Sequence, residues 1–281
     1  MDITFAKMHG LGNDFIVIDC RDWDDPAIGG IAGRASHLCD RRFGIGADQI
    51  LLLCRSEKAD FAMKIFNADG SEVEMCGNGI RCLARYIWDR RLSGKAVLDI
   101  ETPAGIIRPE RAGDLVLVDM GEPVFEREHI PVNITASEAG GKIVDYPLSV
   151  GDREFRITCL SMGNPHAVMF IDEDLSGYPV PVYGPLIERH PLFPRRTNVE
   201  FVRVDGRTSI SMRVWERGAG ETLACGTGAS AAGVASMLKG LTERTTAVHL
   251  PGGELVIVWR PDNRVTMTGP AVEVFVGTIG L

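Results

Sequence analysis

Two short segments carry the residue types from which chemistry can be built: Cys76-Gly77-Asn78-Gly79 and Cys225-Gly226-Thr227-Gly228. In each, a thiol precedes a residue enclosed by two glycines, and an apolar-periodic stretch follows. Glycines leave backbone N–H groups unshielded, and the dipole of a following helix adds positive potential at the same spot. Such a loop suits an anion. The same potential favours thiolate over thiol, which predicts cysteines drawn down from a free value of about 8.5 toward working pH. A lone cysteine in this setting would more often be a small buried hydrophobe. Two related copies point to a joint role.

If the two loops face each other, their thiols flank one small anion. A carboxylate held between two helix termini then offers its α-carbon to a sulfur on either side. One thiolate removes the α-proton, the opposite thiol protonates the other face, and the loop N–H groups meet the charge that develops on the carboxylate. The outcome is inversion of a stereocentre. No metal or aldehyde cofactor is needed for it, and the two cysteines would titrate as a coupled pair.

The elements that must position these loops repeat. Residues 63–82 align without a gap on residues 212–231 at an offset of 149, with Met, Glu, Cys, Gly and Gly identical. Each copy reads strand, polar loop, Cys-Gly-x-Gly, helix. Gln49 falls on Asn198 at the same offset, and Gly12-Asn13 falls near Gly163-Asn164 at 151. An offset slightly above half the chain length predicts two structurally similar halves. Polar residues in register with the loops are candidates for substrate recognition: Asn13, Gln49, Asn67, Asn164, Asn198, Glu216 and Arg217. Asn67 and Glu216 each stand nine residues before their cysteine. His166, after Gly163-Asn164-Pro165, is placed to tune a thiol or hold a hydroxyl, although a lone histidine serves equally as a satisfied core group.

Short β-rich runs dominate the remainder: 16–19, 97–101, 115–119, 155–160, 167–171, 199–204, 209–215, 254–259 and 272–276, separated by Gly, Pro, Asp and Asn clusters. Three helices are predicted. The first runs from about Pro26 to Arg42 with Ile31, Ala35, Leu38 and Cys39 on one face and Gly44 as its stop. The second follows Cys76 and stops before Gly94. The third runs from Ala229 to about Leu241 and is apolar all round, which predicts enclosure on every side.

Composition narrows the function classes. The chain has 281 residues, of which 45% are apolar and 24% charged, proportions of a globular protein of about two domains. Thirty Lys+Arg against 38 Asp+Glu leave a net charge of -8, the wrong sign for gathering nucleic-acid phosphates or anionic lipid. No stretch approaches ~18 uninterrupted apolar residues and no signal-peptide pattern opens the chain, so neither membrane insertion nor secretion is expected. Seven thinly spread cysteines suit a reducing compartment, with cytoplasm the default. No Cys-x-x-Cys pair is present, and no structural metal is expected.

Taken as an ordered set, the motifs resemble the diaminopimelate epimerase family, intracellular epimerases that work without pyridoxal phosphate. The resemblance spans nearly the whole chain: residues 10–15 (GLGNDF), 44–49 (GIGADQ), 67–71 (NADGS), 74–82 (EMCGNGIRC), 163–166 (GNPH), 196–201 (RTNVEF), 216–222 (ERGAGET) and 224–228 (ACGTG). It implies interconversion of LL- and meso-diaminopimelate on the route to lysine and cell-wall precursors. Cys76 and Cys225 are then the acid/base pair. Asn13, Gln49, Asn67, Asn164, Asn198, Glu216 and Arg217 would contact the substrate, with Gly77-Asn78 and Gly226-Thr227 binding through their loops, and His166 and Glu216 would tune the thiols. The implied fold is α+β, two similar halves that each wrap a curled, mostly antiparallel sheet around a central helix, with the active cleft between them. It places 1–125 with 271–281 in the half carrying Cys76 and 126–270 in the half carrying Cys225. A homodimer is implied, with no cofactor. Trp215 and Val73 stand where the family often has Tyr and Ala.

Two rivals make different demands. Proline or hydroxyproline racemisation would use the same thiols on a smaller cyclic amino acid, in a pocket that is mainly apolar rather than lined by Glu216-Arg217 and amides. A non-catalytic amino-acid binding module would keep its full function after either cysteine is replaced by alanine.

Overall fold

The computed structural model describes residues 2–74, 76–134 and 141–280, so Met75 of the first loop motif lies outside the described residues. In chain order the elements are β1 (Asp2–Gly10), β2 (Asn13–Asp19), α1 (Asp25–Ala32), α2 (Ala35–Cys39), β3 (Gln49–Cys54), β4 (Phe61–Asn67), α3 (Gly77–Asp89), β5 (Ile100–Thr102), β6 (Gly105–Ile107), β7 (Glu110–Ala112) and β8 (Leu115–Asp119). There follow β9 (Tyr146–Val150), β10 (Arg153–Ser161), β11 (Pro165–Phe170), a 3-10 turn (Leu175–Gly177), α4 (Val180–Glu188), β12 (Asn198–Gly206), β13 (Ser209–Glu216) and β14 (Gly220–Thr222). The chain continues with α5 (Gly226–Leu238), β15 (Thr245–Leu250), β16 (Gly253–Trp259), β17 (Val265–Gly269) and β18 (Val272–Gly280). The chain divides into two compact units, Met1–Asp119 with Thr268–Leu281 and Met120–Met267.

The first unit holds a seven-stranded sheet in the order β18-β1-β2-β3-β4-β5-β6. Its successive pairings are antiparallel, antiparallel, parallel, antiparallel, parallel and antiparallel. Period-2 alternation sends Ile50, Leu52 and Cys54 of β3 to one face, where they join Ile16, Ile18, Ile31 and Leu38 in a core closed by α1 and α2. Helix α3 covers β1, β2 and β3. The second unit repeats the plan. Its order β9-β10-β11-β12-β13-β15-β16 has the same six pairing senses, and β17 extends it beyond β16. A core of Ile157, Met169, Val199, Phe201, Tyr178 and Ile187 lies toward α4, while α5 packs against β10 to β13, β15 and β16.

The expected halves are therefore present, each a mostly antiparallel sheet around one principal helix. Helices α3 and α5 coincide at the offset of 149, from Gly77/Gly226 to Asp89/Leu238. Helix α5 is buried from Gly228 through Met237, as an all-apolar helix should be.

Several boundaries differ from expectation, each for a local reason. The helix expected over 26–42 is two helices, because Gly29, Gly30 and Gly33 weaken the turn that would join them and Arg34 leaves the helical region at φ -110°. Gly44 does not stop it. Helix α2 already ends at Cys39, and a Cβ on Gly44 would lie 1.9 Å from the His37 carbonyl oxygen, so packing is what demands glycine there. Helix α3 ends at Asp89, five residues short of Gly94, and the left-handed turn is taken by Arg91 at φ 56°. The third helix starts at Gly226 rather than Ala229, since Cys225 is itself the cap. The run at 97–101 pairs as a strand only from Ile100, with Val97 in an isolated bridge to Glu110.

Candidate active site

In the first unit the strand senses gather the candidate residues at one end of the sheet. Parallel β2 and β3 both start there, and antiparallel β4 ends there, so Asn13, Gln49 and Asn67 come together, with Gln49 directly opposite Asn67. Gln49 Nε2 donates to Asn67 Oδ1 at 2.9 Å, and Asn67 Nδ2 donates to Ser71 Oγ at 3.0 Å. Cys76 caps α3, its sulfur accepting from the Gly79 N–H at 3.4 Å. The Cys76 thiol reaches Asn13 Oδ1 at 3.8 Å, and Asn78 Nδ2 donates to the same oxygen at 3.2 Å. Asn13, Cys76 and Asn78 thus form one polar cluster with Gly77 inside it.

Charged neighbours hold that cluster in place. Asp14 receives Lys7 at 2.6 Å and both Arg41 guanidinium nitrogens at 2.8 Å or less, and Arg41 also reaches Asp48 at 2.7 Å. Asp48 in turn accepts from Asn13 Nδ2 at 2.9 Å. Partial burial pushes the Asp14 carboxyl up, but the hydrogen bonds and charges of Arg41 and Lys7 outweigh it and hold the group well below the usual carboxylate range. Beneath the loop lies Arg81, fully buried, donating to the carbonyls of Gly77 at 3.4 Å and Pro270 at 3.3 Å. Its counterpart in the second unit is Ser230, which donates to Gly226 O at 2.9 Å.

In the second unit, Asn164 precedes β11, Asn198 begins β12 and Glu216 ends β13, the same end of the same strands. Cys225 caps α5 through the Gly228 N–H at 3.4 Å and lies 3.5 Å from Thr227 Oγ1. Asn164 Nδ2 donates to Thr227 Oγ1 at 3.2 Å, and Asn164 Oδ1 lies 2.8 Å from His166 Nε2. Asn198 bridges Pro165 O and the Arg217 N–H, both at 2.9 Å. Glu216 accepts from Thr222 Oγ1 at 2.5 Å. The Arg217 side chain is exposed, donating to Arg195 O at 3.4 Å.

Two features depart from the loop-based expectation. Cys225, only 5% exposed, is not drawn down. Burial and the nearby Glu216 carboxylate push its thiol well above the ordinary cysteine value, against the lowering effect of Thr227 and the Gly228 N–H. The second is Glu200, which sequence reading did not single out. It is fully buried, and its Oε1 lies 2.7 Å from His166 Nδ1. Burial pushes its carboxyl up, His166 opposes that, and Glu216 adds to it. The signal was available: Glu200 is two residues after Asn198 on one strand, hence on the same face, and it aligns at 149 with Leu51. Glu188 was missed as well. Its carboxylate accepts from Trp215 Nε1 at 2.9 Å and from the Gly218 N–H at 3.0 Å, which clamps the segment carrying Glu216 and Arg217.

Among the described residues, no three His, Cys, Asp or Glu side chains are grouped as a metal ion would need, and no helix is long and apolar enough to cross a membrane. The chain matches the family model described as diaminopimelate epimerase over residues 5–126 and 158–274. It is 54% identical to a diaminopimelate epimerase of Moorella thermoacetica, with 99% of each chain covered. Among solved structures it is similar to a Bacillus anthracis phenazine biosynthesis protein of the PhzF family (TM-score 0.71, 16% identity, 100% of both chains). It is also similar to a hydroxyproline epimerase from Agrobacterium vitis (TM-score 0.68, 16% identity, 100% of this chain and 93% of that one). At such identities these two establish a common fold alone.

Proposed function

The chain belongs to the diaminopimelate epimerase family, and from that premise we propose that it interconverts LL- and meso-diaminopimelate by proton transfer between Cys76, Cys225 and one substrate α-carbon. The single observation that supports this most strongly is the duplicated cap. Each unit ends an equivalent strand in a loop whose cysteine sulfur accepts from the N–H of the glycine immediately after its Gly-x pair and starts an equivalent helix. A substrate carboxylate meets the loop N–H groups, one sulfur takes the α-proton as a thiolate, and the other returns a proton to the opposite face. Asn13, Gln49, Asn67 and Asn78 of the first unit, and Asn164, Asn198, Glu216, Arg217 and Thr227 of the second, are the groups assigned to binding the two amino-acid ends. The product feeds lysine and peptidoglycan precursor synthesis.

The test is incubation with LL-diaminopimelate in deuterated water without added cofactor. The expected result is meso isomer carrying deuterium at one α-carbon, absent from Cys76→Ala and Cys225→Ala. Activity retained by either variant, or inversion of proline instead, overturns the assignment.

A cytoplasmic homodimer completes the proposal. Two working thiols persist where thiols are kept reduced. For the dimer, the support is β18: it pairs with β1 on one flank only and lies at the edge of its sheet with Val272, Val274 and Val276 about half exposed, an apolar edge that a second copy would cover. Sedimentation should give a dimer for the native chain and a monomer for Val274→Asp. A native monomer at micromolar concentration removes the dimer.

A further inference from the structure

A continuous run of hydrogen bonds in the second unit leads from a buried carboxylate to the loop sulfur. Glu200 Oε1 lies 2.7 Å from His166 Nδ1, His166 Nε2 lies 2.8 Å from Asn164 Oδ1, Asn164 Nδ2 donates to Thr227 Oγ1 at 3.2 Å, and Thr227 Oγ1 lies 3.5 Å from Cys225 Sγ. Proton counting gives the run a direction. An amide oxygen only accepts, so His166 Nε2 carries hydrogen. An amide nitrogen only donates, so the Thr227 oxygen accepts from it and keeps its own O–H for the sulfur. Glu200 and His166 Nδ1 then share one proton, as O–H···N or as O⁻···H–N⁺.

Among the described residues, the first unit does not repeat the His–Glu start of this run. At the offsets of 151 and 149, His166 and Glu200 correspond to Phe15 and Leu51, both fully buried. They occupy the same place beneath the loop. A Cβ on Gly79 would meet Leu51 Cδ2 at 3.1 Å and Phe15 Cε1 at 3.5 Å, just as one on Gly228 would meet Glu200 Oε1 at 3.0 Å. Phe and Leu therefore suffice to pack this site, and a buried His–Glu pair is the costlier filling. Among the described residues Glu200 Oε2 has no hydrogen-bond partner, so the carboxylate is not there to complete a fully satisfied structural network.

We propose that Glu200 is a positioning residue for proton transfer at Cys225. By holding His166 Nδ1 it fixes the ring, and through Asn164 it aims the Thr227 hydroxyl at the sulfur. This rests on Cys225 being an acid/base group of the reaction. The titratable groups facing the pair are Cys159 on β10, Glu216 at the end of β13 and Cys225 at the start of α5.

The experiment compares Glu200→Gln, Glu200→Leu, His166→Phe and the double variant His166→Phe/Glu200→Leu, which copies the first unit's own pair. Each is assayed with LL-diaminopimelate for kcat, KM and the pH dependence of kcat, beside Cys225→Ala and with Tm measured throughout. Glu200→Leu is expected to lower kcat by roughly tenfold or more, since misplacement of a reacting group by about 1 Å can cost 10²-fold. KM should stay within about threefold, a limb of the kcat–pH profile should move, and Glu200→Gln should retain more activity than Glu200→Leu. The double variant should be no slower than His166→Phe alone, because both act on one path. Unchanged kcat and pH profile in folded Glu200→Leu, with Cys225→Ala inactive, overturn the role of Glu200 and spare that of Cys225. A loss that tracks Tm without moving the pH profile, or losses that add in the double variant, overturn it too. Activity in Cys225→Ala removes the underlying reading instead.

Discussion

Replacing glycine by alanine should have opposite signs at two helical positions of this chain. In α1, a Cβ on Gly29 meets nothing within 4 Å, and the residue is exposed. Gly29→Ala then restricts only the unfolded chain and should stabilise by about 0.5–1 kcal/mol. In α5, the same methyl on Gly228 would lie 3.0 Å from Glu200 Oε1, 3.3 Å from Cys225 Cβ and 3.4 Å from Cys225 Sγ. None of these can swing away, because Glu200 is fully buried and held by His166, and Cys225 is fixed as the helix cap. Overpacking a rigid site costs about 1–3 kcal/mol, and subtracting the helix gain leaves a net loss of about 0.5–2 kcal/mol. At roughly 2–4 °C per kcal/mol for units of this size, Tm should fall by about 1–8 °C for Gly228→Ala and rise by about 1–4 °C for Gly29→Ala. Activity separates the two further: the sulfur must shift by a few tenths of an ångström in Gly228→Ala, so kcat should fall at least tenfold, while Gly29→Ala keeps it. Calorimetry and the epimerase assay read both. A Gly228→Ala protein with native Tm and native kcat would refute the claim that Glu200 and Cys225 pack rigidly against this glycine.

Other expectations follow from single contacts. Glu188→Gln leaves only one acceptor for the N–H groups of Trp215 and Gly218, so it should cost about 1–3 kcal/mol and raise KM more than it lowers kcat; denaturant titration and steady-state kinetics check this. The Asp14 carboxyl is depressed by Arg41 and Lys7, so its stabilisation is present above the unfolded value of 3.8 and lost as pH falls through the folded one. Asp14→Asn should therefore lower stability at pH 7 and flatten its decline below about pH 4, as denaturant midpoints across pH would show. An acid limb as steep as the native one would count against that network.

What could be seen from sequence was whatever repeated. The shared offset marked the cysteine loops, and with them the two helices and the polar strand ends, because duplication conserves register and period-2 alternation fixes which side chains share a face. Strand β3 is, after Gln49, an uninterrupted apolar run rather than an alternating one, and such a run carries little periodic signal. Helix α4, with Pro181 and Pro185 in nine residues, carries the composition of a loop and is made helical by packing on β12 and β13. The raised Cys225 thiol escaped because loop dipoles are visible in sequence and burial is not. Glu200 escaped because only one of the two repeats has an acid at that position.

The pairing of β18 with β1 joins residues 272–280 to residues 2–9. A ribosome delivers the amino end first, so β1 emerges with one flank open and stays that way while the whole second unit is made. Phe5, whose ring meets Phe275 edge-on at 6.0 Å, spends that interval without its partner. The second unit, continuous in sequence, has no such wait and can close as soon as its own strands have left the tunnel. Synthesis order and completion order are thereby reversed: the half begun first is sealed last, and anything that shields a nascent apolar edge will act on β1.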